Sequence, residues 1–287
     1  GSWGMMGNDN ITAYQYLSMY SFNTDSYYAF GKTPVSVQSI YETVTANPLV
    51  TWETAKTWNI GFSSQFLNGK LGLDLDYFQS NRNDILITRN ASIPTYSGLS
   101  LPAENLGKVK NHGFEAIATY RDSKGDFEWG VTGNVTYAKN EVVYADEAAD
   151  TPAWQRETGH PIDGGTYYKA LGIYQTQEQI ESTPHLSGTK IGDLIYQDTN
   201  KDGNITWDDA VRRDKSATPK WIFGLTLNGS WKGMDVNAFF QGQADAEILV
   251  QPTMNMATDF YEGRWSESNT AEHNAAPKWP QAFIKAY

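Results

Sequence analysis

Oxygen-bearing side chains recur at alternate positions between residues 198 and 209, in the sequence DTNKDGNITWDD. Calcium binds six to eight oxygens, and a twelve-residue loop can supply them from positions 1, 3, 5, 7, 9 and 12, with glycine at position 6 for the sharp turn. Gly203 stands at position 6 here. The spacing therefore predicts a structural Ca²⁺ site. Its predicted ligands are Asp198, Asn200, Asp202, Asn204 (through its carbonyl oxygen), Thr206 (through water) and Asp209.

The same loop also has an interpretation without metal, because Asn, Asp and Gly favour turns by themselves. Position 12 is Asp209, which reaches less far than the glutamate that binds with two oxygens in an EF-hand, and no helix pair is predicted around the loop. If a metal binds, ligand number and flexibility favour Ca²⁺ over Mg²⁺. Both interpretations stay open from the sequence.

Other residues with catalytic chemistry do not form a recognised arrangement. Asp74 and Asp76 lie on one face of a predicted strand, but a glycosidase needs one carboxyl with a raised pKa and a defined separation across the sugar. The four histidines contain no His-x-x-x-His pair, and the sequence has no nucleophile elbow, Walker loop or dinucleotide fingerprint. We therefore predict that the chain is not an enzyme.

Aromatic residues in the predicted loops form a second candidate site. A ring offers an apolar face with a polar tip, which suits a sugar ring or a peptide side chain. The alternative is that these rings pack the loops against one another, since large loops need cores of their own. The candidate substrate-binding residues are Tyr96, Trp154, Tyr167, Tyr168, Tyr261 and Trp265.

Composition narrows the class of partner. The net charge of −11 and the scattered Lys and Arg residues disfavour nucleic acid, and the lack of cysteine excludes a disulfide framework. Mean hydropathy is −0.53 and no apolar run reaches eighteen residues, which excludes a helical membrane span. The criterion of a long apolar run does not apply to a barrel strand, because half of its residues face water. No signal peptide opens the chain, so we expect it to be an excerpt of a longer protein.

Three stretches of the chain alternate apolar and polar residues on both sides of a short turn. The turns are Asn68-Gly69, the segment 122–125 and Lys232-Gly233. A strand places successive side chains on opposite faces, so each stretch predicts a two-faced hairpin, and Asn-Gly favours a two-residue type I′ connection. The apolar faces comprise Trp58, Ile60, Phe62, Phe66; Leu71, Leu73, Leu75, Tyr77; Phe114, Ala116, Ala118, Tyr120; Phe127, Trp129, Val131, Val135, Tyr137; Trp221, Phe223, Leu225, Leu227, Trp231; Met234, Val236, Ala238 and Phe240.

Strand length favours lipid over a protein core as the cover for these apolar faces. A chain rising from Trp221 to Trp231 covers roughly 33 Å, and a tilt of about 40° leaves roughly 25 Å along the membrane normal, the height of the apolar band of an outer-membrane barrel. The connections at the other ends of the strands are long, as in barrels with long external loops. Residues 31–49 are predicted to be a loop. By this count the chain holds nine or ten strands, too few to close a barrel without more strands from elsewhere.

Three ordered motifs resemble the SusC/RagA-type TonB-dependent outer-membrane transporters of the Bacteroidetes. The first is NPLVTWE at 47–53 running into Asn59-Ile60-Gly61, the second is NLGKVKNHGFE at 105–115, and the third runs from Gly192-Asp193 to Asp209. The resemblance covers essentially the whole chain. It corresponds to the middle and later part of such a transporter, so the plug, the TonB-contacting segment and the closing strands are expected to be absent.

The resemblance implies the fold and the partners. We expect an all-β chain that forms an antiparallel transmembrane segment of a 22-stranded barrel, with long external loops at about 80–104, 141–166, 175–217 and 243–287. The implied function is import of an oligosaccharide or peptide across the outer membrane, with a SusD-like lipoprotein as lid and TonB as energy source. The alternative is a soluble, calcium-stabilised extracellular β-domain that binds glycans without transport.

Overall fold

The computed structural model describes residues 1–11, 13–30, 33–89, 102–250 and 257–282. The chain forms two compact units. The first comprises Gly1–Thr151, Glu157–Ile162 and Thr218–Ala246, and the second comprises Pro152–Arg156, Asp163–Ala217 and Glu247–Tyr287.

The described residues contain thirteen strands, three short α-helices and a single 3₁₀ turn, Trp207–Asp209. The strands are β1 (Ser2–Asn8), β2 (Met19–Phe30), β3 (Thr33–Val44), β4 (Glu53–Phe66), β5 (Leu71–Thr88), β6 (Ala103–Lys124), β7 (Phe127–Tyr144), β8 (Thr166–Tyr167), β9 (Ala170–Ile173), β10 (Leu194–Tyr196), β11 (Val211–Arg212), β12 (Trp221–Trp231) and β13 (Met234–Ala244). The helices are α1 (Gln177–Ser182), α2 (Ala257–Gly263) and α3 (Ala271–Ala275). Among the described residues, no helix combines the length and the apolar character needed to cross a membrane.

The first unit is built on a seven-stranded antiparallel sheet in the order β1-β4-β5-β6-β7-β12-β13. Strands that follow one another in the chain are mostly neighbours, because short turns join β4 to β5, β6 to β7 and β12 to β13. The three predicted hairpins are therefore confirmed. Their apolar faces fall on one side of the sheet, since the ladders from Trp58 to Tyr137 keep an even register.

The connection at Asn68-Gly69 is a four-residue loop, 67–70, between the paired residues Phe66 and Leu71. Two turns overlap in it: the Gly69 N–H donates to the carbonyl of Phe66 at 3.1 Å, and the Lys70 N–H donates to the carbonyl of Leu67 at 3.2 Å. Asn68 and Gly69, both with positive φ, are the central residues of the second turn, as the sequence predicts, but the loop is two residues longer than a two-residue connection. The turn at Lys232-Gly233 has the predicted two residues, both with positive φ.

Two strand regions differ from expectation. The predicted loop 31–49 is wrong, because β3 occupies most of it and pairs with β2. The alternation around Val35 and Val37 is the signal for this strand, and Pro34 obscures it. The strands also run further than the alternation indicates: β5 continues to Thr88 and β6 begins at Ala103, so strand residues occupy part of the region 80–104.

The second unit has little regular structure and a small core. Two-stranded ladders join β8 to β11 and β9 to β10. Tyr174, Ile180 and Trp265 are buried, and Gln281 donates to the Asp193 carboxylate at 2.6 Å. Gly192 has a φ of +95°, and a Cβ there would lie 2.3 Å from the ring of Trp265. Only glycine therefore fits beneath this ring.

Candidate functional site

A row of aromatic side chains crosses four strands of the sheet at one level. Tyr77, Phe114, Tyr137 and Trp221 are successive cross-strand partners. The rings of Tyr137 and Trp221 lie 4.6 Å apart, and those of Phe114 and Tyr137 lie 5.9 Å apart. We call this set the upper aromatic row, because it lies toward the strand ends from which the long connections leave.

A second group of aromatic residues lies near the short turns. Phe127 and Trp231 are cross-strand partners, and the rings of Tyr120 and Trp129 lie 5.3 Å apart. Ten residues separate Trp221 from Trp231 on β12, so the two aromatic levels are roughly 33 Å apart along the strand. This spacing fits aromatic girdles at the two interfaces of a bilayer.

Between the two levels the apolar side chains are exposed. Phe223 is 47% exposed, Leu225 is 40% exposed and Leu75 is 44% exposed. A soluble sandwich would bury these residues beneath a second sheet. Within the described residues no such layer covers them, and the buried hydrophobic side chains, apart from Val142, belong to the second unit. The face therefore needs hydrocarbon as its cover.

The opposite face of the sheet is mostly polar, as expected of a barrel lumen, with Ile117, Ile222 and Phe239 as exposed apolar exceptions. Asp74 accepts a hydrogen bond from the Ser63 hydroxyl, and Asp76 lies opposite Glu115 on the neighbouring strand. Asp76 also leans over Gly61, where a Cβ would lie 2.4 Å from its Oδ1. These acids therefore lie on the polar side of the sheet, on neighbouring strands.

The acidic loop in the second unit is organised by the buried Asp209. Its Oδ1 accepts the N–H groups of Thr199 at 2.8 Å and Asn200 at 3.3 Å, and its Oδ2 accepts the N–H of Thr206 at 2.8 Å. Asp209 is 0% exposed. Three amide donors thus compensate the burial of one carboxylate.

The other oxygens of the loop form local turns. Asp198 Oδ2 accepts the Gly203 N–H at 2.9 Å, Asn200 Oδ1 accepts the Asp202 N–H at 3.0 Å, and Asp202 Oδ1 accepts the Asn204 N–H at 2.8 Å. These bonds bring the side chains of Asn200 and Asp202 together, and the Asn200 side-chain NH₂ donates to Asp202 Oδ2 at 2.9 Å. These hydrogen bonds also hold the pKa of the Asp202 carboxyl below its ordinary value, chiefly through the Asn204 amide.

The donor set fits a cation in part. Asp198 Oδ1 is buried and has no hydrogen-bond partner, which is costly for a carboxylate oxygen and would be relieved by a metal. Both carboxylate oxygens of Asp209 accept hydrogen bonds from backbone amides in this structure. In the described residues no three His, Cys, Asp or Glu side chains cluster closely enough to hold a metal ion by themselves. A cation here would therefore rely on amide and carbonyl oxygens, and calcium binding stays a prediction.

The six candidate aromatic residues have different environments. Tyr96 lies outside the described residues. Trp265 is buried, it packs on Gly192, and its Nε1 donates to the side-chain oxygen of Gln175 at 3.3 Å, which favours the alternative that this ring packs the loops together. Tyr261 is 68% exposed, and the guanidinium of Arg264 lies 4.0 Å from its ring centroid.

The three remaining aromatic residues surround the acidic loop. Trp154 Nε1 donates to the carbonyl of Asp208 at 2.8 Å. The ring of Tyr168 contacts those of Tyr196 at 5.1 Å and Trp207 at 6.1 Å. Tyr167 is 52% exposed and pairs with Val211 in the short β8–β11 ladder. The loop therefore anchors the strand that carries the exposed ring of Tyr167.

Tyr167 lines a pocket of about 620 Å³ that lies wholly within the second unit. The pocket also contains two groups of opposite charge: the Arg213 guanidinium donates two parallel hydrogen bonds, at 2.9 and 2.5 Å, to the Glu247 carboxylate. Ile248 and Leu249 add exposed apolar surface. Sequence reasoning missed Arg213 and Glu247, because they are 34 residues apart and neither belongs to a motif. The pocket combines a ring face, a fixed polar pair and apolar surface, which suits a small organic ligand.

Comparisons with known proteins extend over nearly the whole chain. TonB-dependent receptor P3 of Formosa agariphila is 29% identical over 290 residues, which cover 94% of this chain and 28% of that protein. TonB-dependent receptor SusC of Bacteroides thetaiotaomicron is 25% identical over 284 residues, which cover 96% of this chain and 28% of that protein. The chain thus spans little more than a quarter of the length of these relatives.

A solved structure, the RagAB peptide importer in the "open-open" state, superposes with a TM-score of 0.59 over 85% of this chain and 25% of that chain. The sequence identity there is 20%, so the likeness concerns the fold. Residues 9–275 match the family model described as TonB dependent receptor-like, beta-barrel. Together with the exposed apolar belt of the sheet, this match shows that the chain belongs to the TonB-dependent receptor β-barrel family of the bacterial outer membrane.

Proposed function

We propose that the chain is the later part of the barrel of a nutrient importer. The complete protein would carry an oligosaccharide or a peptide across the outer membrane, capture it with a SusD-like lipoprotein, and draw energy from TonB through a plug region that lies outside this chain. The observation that carries the proposal is the belt of exposed apolar side chains between two aromatic levels, on a sheet whose other face is polar.

The named relatives support the general class of activity. SusC and the Formosa protein are TonB-dependent receptors, and RagAB is a peptide importer. The SusD-like partner rests on the resemblance of the three sequence motifs to SusC/RagA-type transporters.

We propose that the pocket of the second unit contacts the cargo. Tyr167 would provide the ring face, and the bidentate Arg213–Glu247 pair would hold donors and acceptors in fixed directions. Exposed loop residues on a rigid support are the usual place for such contacts. The acidic loop would act through β11, by keeping Tyr167 in place.

The test is uptake by cells that express the complete transporter with its neighbouring lipoprotein. Cells carrying Tyr167→Ala should take up cargo several-fold more slowly at low concentration, because one stacking contact is lost. Leu171→Ala is the matched control, since Leu171 is also an exposed side chain of this unit but lies outside the pocket. Unchanged uptake in Tyr167→Ala would contradict the pocket's role. Loss of all uptake on deletion of the transporter gene tests the import function separately.

A further inference from the structure

On β5, β6 and β7 the apolar-facing side of the sheet changes from aromatic to polar and charged residues just beyond the upper aromatic row. Residues two apart on a strand share a face, so the positions beyond Tyr77, Phe114 and Tyr137 point to the same side as those rings. Gln79, His112 and Lys139 are cross-strand partners at the first level. Lys56, Asn81, Lys110 and Glu141 are cross-strand partners at the second. We call Lys56, Lys110, His112 and Lys139 the basic cluster.

The basic cluster carries an excess of positive charge. The two levels contain three lysines and one glutamate, Glu141. The Glu141 carboxylate lies 3.6 Å from the Nζ of Lys139. The Nδ1 atom of His112 is buried and has no hydrogen-bond partner. Directly opposed side chains on antiparallel strands lie about 5 Å apart at their Cβ atoms, so one anionic group can reach His112 and Lys139 together.

At the opposite end of the strands, near the short turns, more of the lysines have carboxylate partners. Lys70 pairs with Asp122 at 2.6 Å and Lys232 lies 3.9 Å from Asp126. Lys124 lies on the lipid-facing side at this end, opposite Phe127, and has no carboxylate within 4 Å among the described residues. The larger excess of positive charge, three lysines against one glutamate, therefore belongs to the end from which the long connections leave, which is the external end in this family.

The height of the basic cluster matches a lipid headgroup. Two residues along a strand advance about 6.6 Å, and a tilt of about 40° leaves roughly 5 Å of rise above the aromatic row. Aromatic rows mark the boundary between hydrocarbon and headgroups, and basic residues just beyond that boundary attract anionic lipid. We propose that the basic cluster binds a phosphate-bearing lipid headgroup of the outer leaflet.

The test is a lipid titration of the complete transporter in detergent, followed by native mass spectrometry. The probes are a phosphorylated outer-membrane glycolipid, the same glycolipid after enzymatic dephosphorylation, and inorganic phosphate. The double variant Lys110→Gln/Lys139→Gln should bind the phosphorylated lipid roughly 30-fold more weakly, since each lysine near an anionic headgroup contributes about fivefold. Glu141→Gln should bind it more tightly.

The matched control is Lys124→Gln/Lys232→Gln, which removes two lysines at the other end and should leave binding unchanged. Heat-modifiable migration on gels establishes that each variant is folded. If the double variant fails to fold, tighter binding of the phosphorylated lipid by Glu141→Gln is the test. The proposal is overturned if the double variant binds like the unmodified protein, if the dephosphorylated lipid binds equally well, or if inorganic phosphate alone binds as tightly as the lipid.

Discussion

At the scale of single residues, Asp209 explains why the acidic loop has one shape. Its carboxylate has no exposed surface, and it accepts three backbone N–H groups from both ends of the loop. An asparagine would have the same size, but its NH₂ group would face amide donors on one side. A buried N–H would then lack an acceptor.

We therefore expect Asp209→Asn to weaken the loop by about 1–3 kcal/mol of local opening free energy. Hydrogen exchange of residues 198–209 in the complete protein measures this directly. Asp208→Asn is the control, because Asp208 is exposed and belongs to the same turn. Equal exchange in both variants would show that Asp209 does not organise the loop.

Calcium binding gives a second prediction at this scale. Terbium substitutes for calcium, and Trp207 lies within the loop, so excitation of tryptophan should give terbium emission that calcium suppresses. Asp198→Asn combined with Asp202→Asn should abolish the emission, while Asp208→Asn should keep it. If the unmodified protein gives no calcium-sensitive emission, the metal-free turn is the correct interpretation.

The pH dependence of terbium binding follows from Asp202. The pKa of the Asp202 carboxyl is lowered in the folded loop, so the folded loop favours the charged carboxylate. The charged carboxylate therefore contributes to the stability of the folded loop at pH values above the unfolded pKa. That contribution is lost as the pH falls through the lowered folded value. Emission should therefore stay constant through the neutral and mildly acidic range. A loss centred near pH 6 would contradict this assignment.

At the scale of elements, β12 has one face toward lipid and the other toward water. Leu225 points to the apolar side and Thr226 to the polar side, and both lie near the middle of a strand bounded by Trp221 and Trp231. The two positions are adjacent in sequence and equal in depth. They differ in which face of the sheet they occupy.

Leu225→Arg should destabilise the complete protein by about 2–4 kcal/mol, the cost of a basic residue on the lipid face at mid-depth. Thr226→Arg is the matched control and should cost much less, because its side chain reaches water. Urea unfolding from lipid vesicles, read by heat-modifiable migration, gives both values. Similar losses in the two variants would mean that the faces are not in different environments.

The elements also show what a sequence pattern can predict. Alternation located the hairpins around Asn68, Gly125 and Lys232, because lipid and lumen impose opposite polarity on neighbouring residues, although the second turn is 125–126 and not the predicted 122–125. It underestimated β5, β6 and β7, since beyond the aromatic row both faces are wet and the alternation ends while the hydrogen-bonded ladder continues. It missed β3 because Pro34 obscures the alternation around Val35 and Val37.

At the scale of the whole molecule, the two units were unequally predictable. The sheet of the first unit follows from a repeated local pattern. The second unit depends on contacts between distant residues, such as Arg213 with Glu247 and Gly192 with Trp265. Local spacing could suggest the acidic loop, but it could not distinguish the buried Trp265 from the exposed Tyr167. Such a distinction needs tertiary packing, which no periodicity records.

The central claim is that hydrocarbon covers the face that carries Phe223, Leu225 and Leu227. This chain contains no cysteine of its own, and in a complete transporter from which any other cysteine has been replaced, single cysteines at positions 222–229 can carry spin labels in bilayers. Collisions with oxygen, which concentrates in lipid, should peak at 223, 225 and 227, and collisions with a water-soluble nickel complex should peak at 224, 226 and 228. An oxygen profile without this period of two, or nickel access at 225 equal to that at 226, would contradict the account.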